Sequence, residues 1–476
     1  MPHHTSQDFY NLKIINKFPN DFTFGVATSS YQIEGNSFGQ SGLNHWDTFS
    51  QIKGKVFNRQ NGYIACAHVT KYKEDIKLIS DAGFSAYRFS FSWPRILPEG
   101  KGTINKEGIS FYDKLIDELL ENNLKTYSTL YHWDLPEIFM SKGGWKNRDT
   151  TKWFADFTDI IMRRFSDRLD SIATINEPWC VSWLSHYLGE HAPGERSIES
   201  GIKTMHMILV AHSEAMQVIR SHNYKNAGIV LNKQLVQPFD DKPETLKVTN
   251  LADEIHNLWF DEAIFNGVYP SQTLDLFSQY MPKNYEKDLA KISQPLDWVG
   301  INYYTRSLIK IDPSESFLGY KSVNGDLDIT DMGWEIFPNG LRILIERLHK
   351  EYSKKIPIYV TENGMANNDV IKDGKIDDSK RIKFYSDHLI ECFKLLENEI
   401  PLKGYFAWSL LDNFEWAFGY SKRFGLVYVD FDNLTRVPKL SLIHISEPTR
   451  QAEMGYAVFC LKKKRGGGGG GGGGGG

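Results

Sequence analysis

Eight short apolar runs, with helix-like stretches between them, constrain this sequence more than any other feature. The runs are FTFGVAT (22–28), SAYRFSF (85–91), TYSTLYH (126–132), SIATIN (171–176), AGIVLN (227–232), LDWVGIN (296–302), IPIYVT (356–361) and KGYFAWS (403–409). Most are continuous rather than alternating, the pattern of strands covered on both faces. The segments between them carry helical spacing. In 108–122, Leu115, Ile116, Leu119 and Leu120 share one face; in 203–220, Met207, Val210, Ala211 and Val218 recur similarly, with Glu214 the exception. Eight strand–helix alternations predict an α/β fold, a single-domain (β/α)8 TIM barrel rather than an open doubly wound sheet. A chain of 476 residues is long enough for one. No GxGxxG or GxxxxGK[ST] follows any run, which argues against nucleotide binding.

Composition narrows the function classes. A net charge of −4 offers no broad field to nucleic acid or anionic membrane. No run approaches the ~20 apolar residues of a membrane span. The start, MPHHTSQDFYNLKIINKF, lacks a basic segment followed by an apolar one, so the expected location is cytoplasmic. Cys66, Cys180, Cys392 and Cys460 fit no zinc or CxxC spacing and read as reduced, buried thiols. His186 and His191 could suggest a metal pair, but SHYLGEHAPG reads as a loop, and neither metal nor cofactor is expected. His206, His212 and His222 read as packing or surface residues, and Trp46, Trp93 and Trp298 as packing. Aromatic residues make up 13% of the chain, more than a core needs; sugar binding would use the surplus. Aromatic faces cover the C–H faces of a pyranose while polar groups take its hydroxyls.

In a barrel of this kind the reactive face lies at the C-terminal ends of the strands. Polar residues collect there: Gln32 after run one, Arg88 in run two, His132-Trp133-Asp134 after run three, Asn176-Glu177 after run four, Asn302-Tyr303-Tyr304 after run six, Glu362 after run seven, and Trp408 then Glu415-Trp416 after run eight. In IYVTENG a strand-like run ends in a bare carboxylate before an Asn-Gly turn signal; SIATINEP ends the same way. Two carboxylates on two strand ends suggest an acid and a nucleophile.

With FPNDFTFGVATSSYQIEG, YRFSFSWPRILP, LYHWDLP, TINEPW, GINYYT, MGWEIFP, VTENG and GYFAWSLLDNFEWAFGYSKRFGLVYVD, residues 18–439 resemble family 1 of the glycoside hydrolases, the β-glucosidase family. The resemblance implies a retaining β-glycosidase acting on terminal β-D-glucosyl residues of small β-glucosides or cello-oligosaccharides. It implies Glu177 as general acid/base and Glu362 as nucleophile, with Arg88, Asn302 and Tyr304 beside the reacting centre. Gln32, His132, Trp133, Asn176, Glu415 and Trp416 would hold the sugar hydroxyls. Trp408 would form an aromatic floor, and Trp334, with Trp179, would line the aglycone entrance.

The chemistry asks for this pair. Retaining enzymes hold the two carboxyls about 5–5.5 Å apart because one attacks the anomeric carbon directly; a water-activating pair needs about 6.5–9.5 Å. Arg88 and Tyr304 would keep Glu362 ionised, and burial beside it would raise Glu177. A 6-phospho-β-glycosidase is the first alternative, opposed by Glu415 where a phosphate would sit. A catalytically impaired sugar-binding protein is the second. It rests on the C-terminus: residues 1–17 read as an extension, 18–440 as the catalytic barrel and 441–476 as a non-native tail. SLIHISEPTR resembles translated adapter DNA, and a Lys run and a Gly run follow it. The barrel would then lack its natural final helix and be poorly stable. Where the family reads ACDHY, this chain reads Ala65-Cys66-Ala67-His68-Val69. Oligomeric state and the choice among glucoside, galactoside and fucoside stay open.

Overall fold

A computed structural model describes residues 17–442, Ser316 excepted. Its main strands are β1 (Thr23–Ala27), β2 (Ala86–Ser90), β3 (Lys125–Tyr131), β4 (Ser171–Asn176), β5 (Ala227–Pro238), β6 (Trp298–Ile311), β7 (Ile358–Asn363) and β8 (Leu402–Trp408). They lie in the order β5-β4-β3-β2-β1-β8-β7-β6, and β6 pairs back onto β5 to close the barrel. Every one of these pairings is parallel. β1, β2 and β4 are buried along their whole length, as continuous apolar runs require.

Strands β5 and β6 run well past the ends that the apolar runs suggest. Beyond Leu231 on β5 and Asn302 on β6, burial alternates residue by residue. The two strands leave the barrel there as a half-exposed ribbon, and Tyr320–Val323 pairs antiparallel with the far end of β6. A run that stops being continuously apolar stops looking like a barrel strand, so the extension was invisible to that criterion.

The helices follow the expected segments with two corrections. In helix Lys106–Glu121, Leu115, Ile116 and Leu119 are buried, but Leu120 is 42% exposed; it sits one position past the core-facing stripe. Asn105 caps this helix by accepting from the Glu107 amide at 3.1 Å. In helix Ile198–Ser221 the core position near the C-terminus belongs to Ile219 rather than Val218. His206 and His212 of that helix are buried, His206 against Tyr269 and Asp288 and His212 against Thr174. His222 pairs with Asp159 on the surface. Trp46, Trp93 and Trp298 are packing residues, as expected.

A buried ionic cluster ties the last described residues to the barrel. Lys439 Nζ lies 2.6 Å from both Asp369 and Asp412. Arg381 binds Asp369 and Asp378, and Arg423 binds Asp412. Ser441, assigned to the tail by sequence, is buried here: its amide and hydroxyl both donate to the Asp378 carboxylate. Leu442 is buried beside it. The remainder of the expected tail, and Cys460 within it, lies outside the described residues, as does nearly all of the N-terminal extension. Cys66, Cys180 and Cys392 are free and buried. No helix among the described residues is long and apolar enough to cross a membrane.

Candidate active site

Glu177 and Glu362 come from strand ends β4 and β7, far apart in the chain, yet both line one cavity of about 330 Å³ at the barrel mouth. A continuous set of hydrogen bonds brackets them. Arg88 Nη1 donates to Glu362 Oε1 at 2.6 Å, and its Nη2 donates to Asn176 Oδ1 at 2.7 Å. That same oxygen accepts from Asn302 Nδ2 at 3.1 Å, and Asn302 Nδ2 donates to Glu177 Oε1 at 2.6 Å. Tyr304 donates its hydroxyl to Glu362 Oε2 at 2.7 Å. The circuit runs Glu362, Arg88, Asn176, Asn302, Glu177, and Thr361 fixes the Asn302 amide by donating to its oxygen. Each member sits at or just past a strand end, so the barrel itself sets the spacing.

Electrostatics separate the two carboxyls. Burial, then the charge of Glu362, pushes Glu177 up to about 7, and no cation touches it. Burial also raises Glu362, but Arg88, Tyr304 and Asn302 all pull it back. The two carboxyls cannot readily both be charged, and the guanidinium chooses Glu362, so the proton resides on Glu177. Glu415 is pushed up to about 8, by burial first and then by both other carboxylates. The raised pKa favours the protonated form of Glu415 beside the other two carboxyls. Its carboxyl makes no hydrogen bond to protein among the described residues.

Of the expected sugar-contacting residues, six line the cavity and two, Asn176 and Gln32, do not. His132, Trp133, Trp334, Trp408, Glu415 and Trp416 all line it. His132 Nε2 accepts from Asn176 Nδ2 at 3.1 Å, and burial keeps the ring neutral, so the proton sits on Nδ1, which has no protein partner. Trp408 stacks on the His132 ring, with centroids 5.7 Å apart. Two expected roles look different in place. The Trp133 indole N–H is spent on the Asn176 carbonyl at 2.9 Å, so it offers a ring face rather than a donor. Gln32 does not line the cavity: its amide donates to Asn413 and Phe414 and accepts from Ser29.

Local backbone geometry explains parts of the motifs. Trp133, Glu177 and Trp416 all have positive φ, at 80°, 53° and 49°. Non-glycine residues hold such angles at a cost, and here they turn side chains into the cavity. In VTENG, Asn363 is the last residue of β7 and is buried, donating to the Tyr303 carbonyl and accepting from Tyr405. Gly364 serves close packing rather than a turn: a Cβ there would lie 1.8 Å from the Trp408 carbonyl oxygen.

Several lining residues escaped the sequence reading. Cys180, Leu184 and His191 follow TINEP; residues 180–187 are helical, so of the segment 185–194 read as a loop only 185–187 depart from that reading. His256 comes from the long β5–β6 connection, and Met332 and Phe424 from other loops. Only Asn232-Lys233-Gln234 carried a signal, as polar residues at the end of run five. Lys233 is buried in an ion pair with Asp261. No group of residues suited to a metal ion occurs among the described residues.

A closed parallel barrel with paired, differently protonated carboxyls at its C-terminal mouth, walled by tryptophans, defines a class: barrel enzymes that cleave glycosidic bonds. The comparisons agree. The family description "Glycosyl hydrolase family 1" matches residues 14–454. The chain is 43% identical over 430 residues to "Beta-glucosidase A" of Thermotoga maritima, covering 89% of this chain and 96% of that one. It is also 43% identical to "Beta-glucosidase" of an Agrobacterium species, over 89% of this chain and 94% of the relative. Among solved structures, the GH1 β-glucosidase of Exiguobacterium antarcticum B7 superposes with a TM-score of 0.89 at 42% identity, covering 92% of this chain and 99% of that one. This chain belongs to glycosyl hydrolase family 1, and it is a glycoside hydrolase.

Proposed function

We propose that the protein is a retaining β-glucosidase that removes terminal β-D-glucosyl residues from small β-glucosides or cello-oligosaccharides. The observation that carries this reading is the hydrogen-bonded circuit that puts a proton on Glu177 and a guanidinium on Glu362. Glu362 attacks the anomeric carbon while Glu177 protonates the departing oxygen. Having given up its proton, Glu177 stays ionised, because forming the glycosyl ester removes the charge of Glu362 and lowers the Glu177 pKa; the carboxylate then takes a proton from the water that attacks the anomeric carbon and releases Glu362. Arg88, Asn302 and Tyr304 hold the pair in register. Glu415, the His132 Nδ1–H and the Trp416 indole take hydroxyls, with Trp408 as floor and Trp334 at the entrance, while Asn176, its amide bonded to Arg88, Asn302 and His132, orients that wall from behind. Gln32 reaches the sugar only if its present hydrogen bonds rearrange. Relatives support the substrate class by name: solved structures include the Thermotoga maritima enzyme with deoxynojirimycin and with glucoimidazole.

A 6-phosphoglucoside is disfavoured. Arg88 and Lys233 already serve Glu362 and Asp261, leaving neither as a free partner for a dianion. Cytoplasmic residence fits three free buried thiols. The proposed catalytic unit is the barrel of residues 18–440 together with Ser441 and Leu442, which pack onto it, and the segment after them is proposed as a non-native tail.

The test is a panel of nitrophenyl β-glycosides, including the 6-phosphoglucoside, with Glu362→Gln as control and NMR of the first-formed anomer. Cleavage of the β-glucoside with β-glucose appearing first is expected. Turnover retained by Glu362→Gln, or α-glucose as first product, overturns the mechanism. Binding without turnover by the unmodified protein favours the impaired sugar-binding reading.

A further inference from the structure

A cavity of about 550 Å³ opens where the starts of helices Arg148–Phe165 and Ile198–Ser221 meet the loop carrying Pro282 and Lys283. It shares no lining residue with the catalytic cavity. Its volume lies within the range of small-molecule sites. Four cations line it, Lys146, Arg148, Lys203 and Lys283, against a single acid, Glu199. On a chain whose net charge is −4, this concentration of positive charge in one concavity draws anions locally.

Two of the cations are fixed from outside the lining. Lys146 Nζ lies 2.8 and 2.7 Å from the two Glu195 carboxylate oxygens. Arg148 donates from Nη1 and Nη2 to Asp288 at 2.9 and 2.5 Å, and His206 lies 3.0 Å from the same carboxylate. Neither Glu195 nor Asp288 lines the cavity. These two headgroups are therefore ordered before a ligand arrives, so binding does not have to order them. The guanidinium keeps its Nε–H and the second hydrogen of each Nη for a ligand. Lys146 spends its N–H groups on Glu195 and Ser200 and adds charge rather than donors. Lys203 meets Glu199 in an exposed pair one helical turn apart, a contact worth little and readily exchanged. Lys283 is exposed and pairs with no carboxylate among the described residues, so the one unbalanced positive charge of the group sits there. Met207 and Pro282 add apolar surface beside these charges.

We propose that this cavity is a binding site for a small phosphate-bearing molecule, separate from the glycosidic site. A phosphate monoester brings close to two charges and three acceptor oxygens, which the Arg148 edge and the Lys203 and Lys283 ammoniums match. A carboxylate brings one charge and two oxygens and leaves donors unmatched. The cavity exceeds the size of inorganic phosphate, so the organic body of the ester lies against Met207 and Pro282. The proposal does not depend on which glycoside the protein cleaves.

The experiment is isothermal titration calorimetry on the unmodified full chain, at fixed ionic strength near neutral pH, with glycerol 3-phosphate, inorganic phosphate and acetate. Glycerol 3-phosphate should bind saturably at one site per chain, about tenfold tighter than acetate. Lys203→Gln/Lys283→Gln removes two exposed cations and should weaken that binding about tenfold, with circular dichroism and nitrophenyl glucoside cleavage unchanged. Lys114→Gln/Lys355→Gln removes the same charge from exposed residues outside the lining and should leave the affinity within about twofold. Tighter binding of the ester than of inorganic phosphate is expected; equal binding confines the ligand to the free ion and overturns the organic body. Three results overturn the site itself: no saturable binding of either phosphate, an affinity unchanged in Lys203→Gln/Lys283→Gln, or equal weakening in both double variants.

Discussion

Arg88→Met is the most informative single change to the proposed catalytic pair. The guanidinium lies 2.6 Å from Glu362 Oε1, and both side chains are almost wholly buried. With charge centres about 4 Å apart and an effective dielectric of about 20, the attraction is about 4 kcal/mol. Losing it raises the Glu362 pKa, and Tyr304 and Asn302 offset only part of that rise. The sign follows from the proposed roles. Activity needs Glu362 charged, above its own pKa, and Glu177 protonated, below about 7. Removing Arg88 raises the Glu362 pKa, so the acid limb of the pH profile moves up towards the alkaline limb and the working window closes. Both limbs belong to the coupled pair rather than to single residues. Peak kcat/KM should fall by about 10²–10³-fold, as for loss of other preorganised charge stabilisers. Arg88→Lys keeps the charge but not the second bond to Asn176, and should shift the acid limb less. The assay is initial rates on nitrophenyl β-glucoside from pH 4 to 9, with folding checked by circular dichroism. An acid limb for folded Arg88→Met that overlays the unmodified one would refute the electrostatic reasoning.

Three further outcomes concern stability. Lys439→Met leaves Asp369 and Asp412 buried without their shared cation and should cost about 3–5 kcal/mol, read by urea unfolding with unchanged m. Burial alone would raise Asp369, but Arg381 and Lys439 outweigh it and hold it low. Its contribution is therefore complete above about pH 4 and is lost as pH falls through the depressed folded value; a scan of the unfolding midpoint from pH 7 to 3 should show that loss, weakened in Lys439→Met. Gly364→Ala forces a Cβ against the Trp408 carbonyl and should destabilise by about 1–3 kcal/mol or more while impairing turnover, since both neighbours carry the site. Ala67 precedes helix His68–Asp81 in a left-handed conformation with a φ of 50°, which glycine holds without the Cβ clash, so Ala67→Gly should gain about 1 kcal/mol, measured as a raised melting midpoint.

The position of a residue along a strand proved legible from the runs themselves; partners such as Arg88 and Tyr304 on Glu362 were expected only through the family resemblance. The apolar runs located all eight barrel strands and their starting points to within a few residues, because strands covered on both faces leave a continuous trace. Leu120 and Val218 were misplaced because helical spacing resolves a face only to about one position. The ribbon of β5 and β6 was missed because half-exposed alternation breaks the trace. His256, Met332 and Phe424 reach the cavity from connections whose path depends on packing, and nothing local marks them.

By itself, the amino-acid order determined a barrel and put Glu177 and Glu362 at two strand ends, because periodicity and burial are local properties of a chain. Tertiary structure alone decided which carboxyl keeps the proton. That depends on Arg88 meeting Glu362 and on Asn302 meeting Glu177, contacts that span 274 and 125 positions. It also decided that the Trp133 N–H and the Gln32 amide are already engaged. Distances across a closed barrel set those energies, and no window along the sequence contains them.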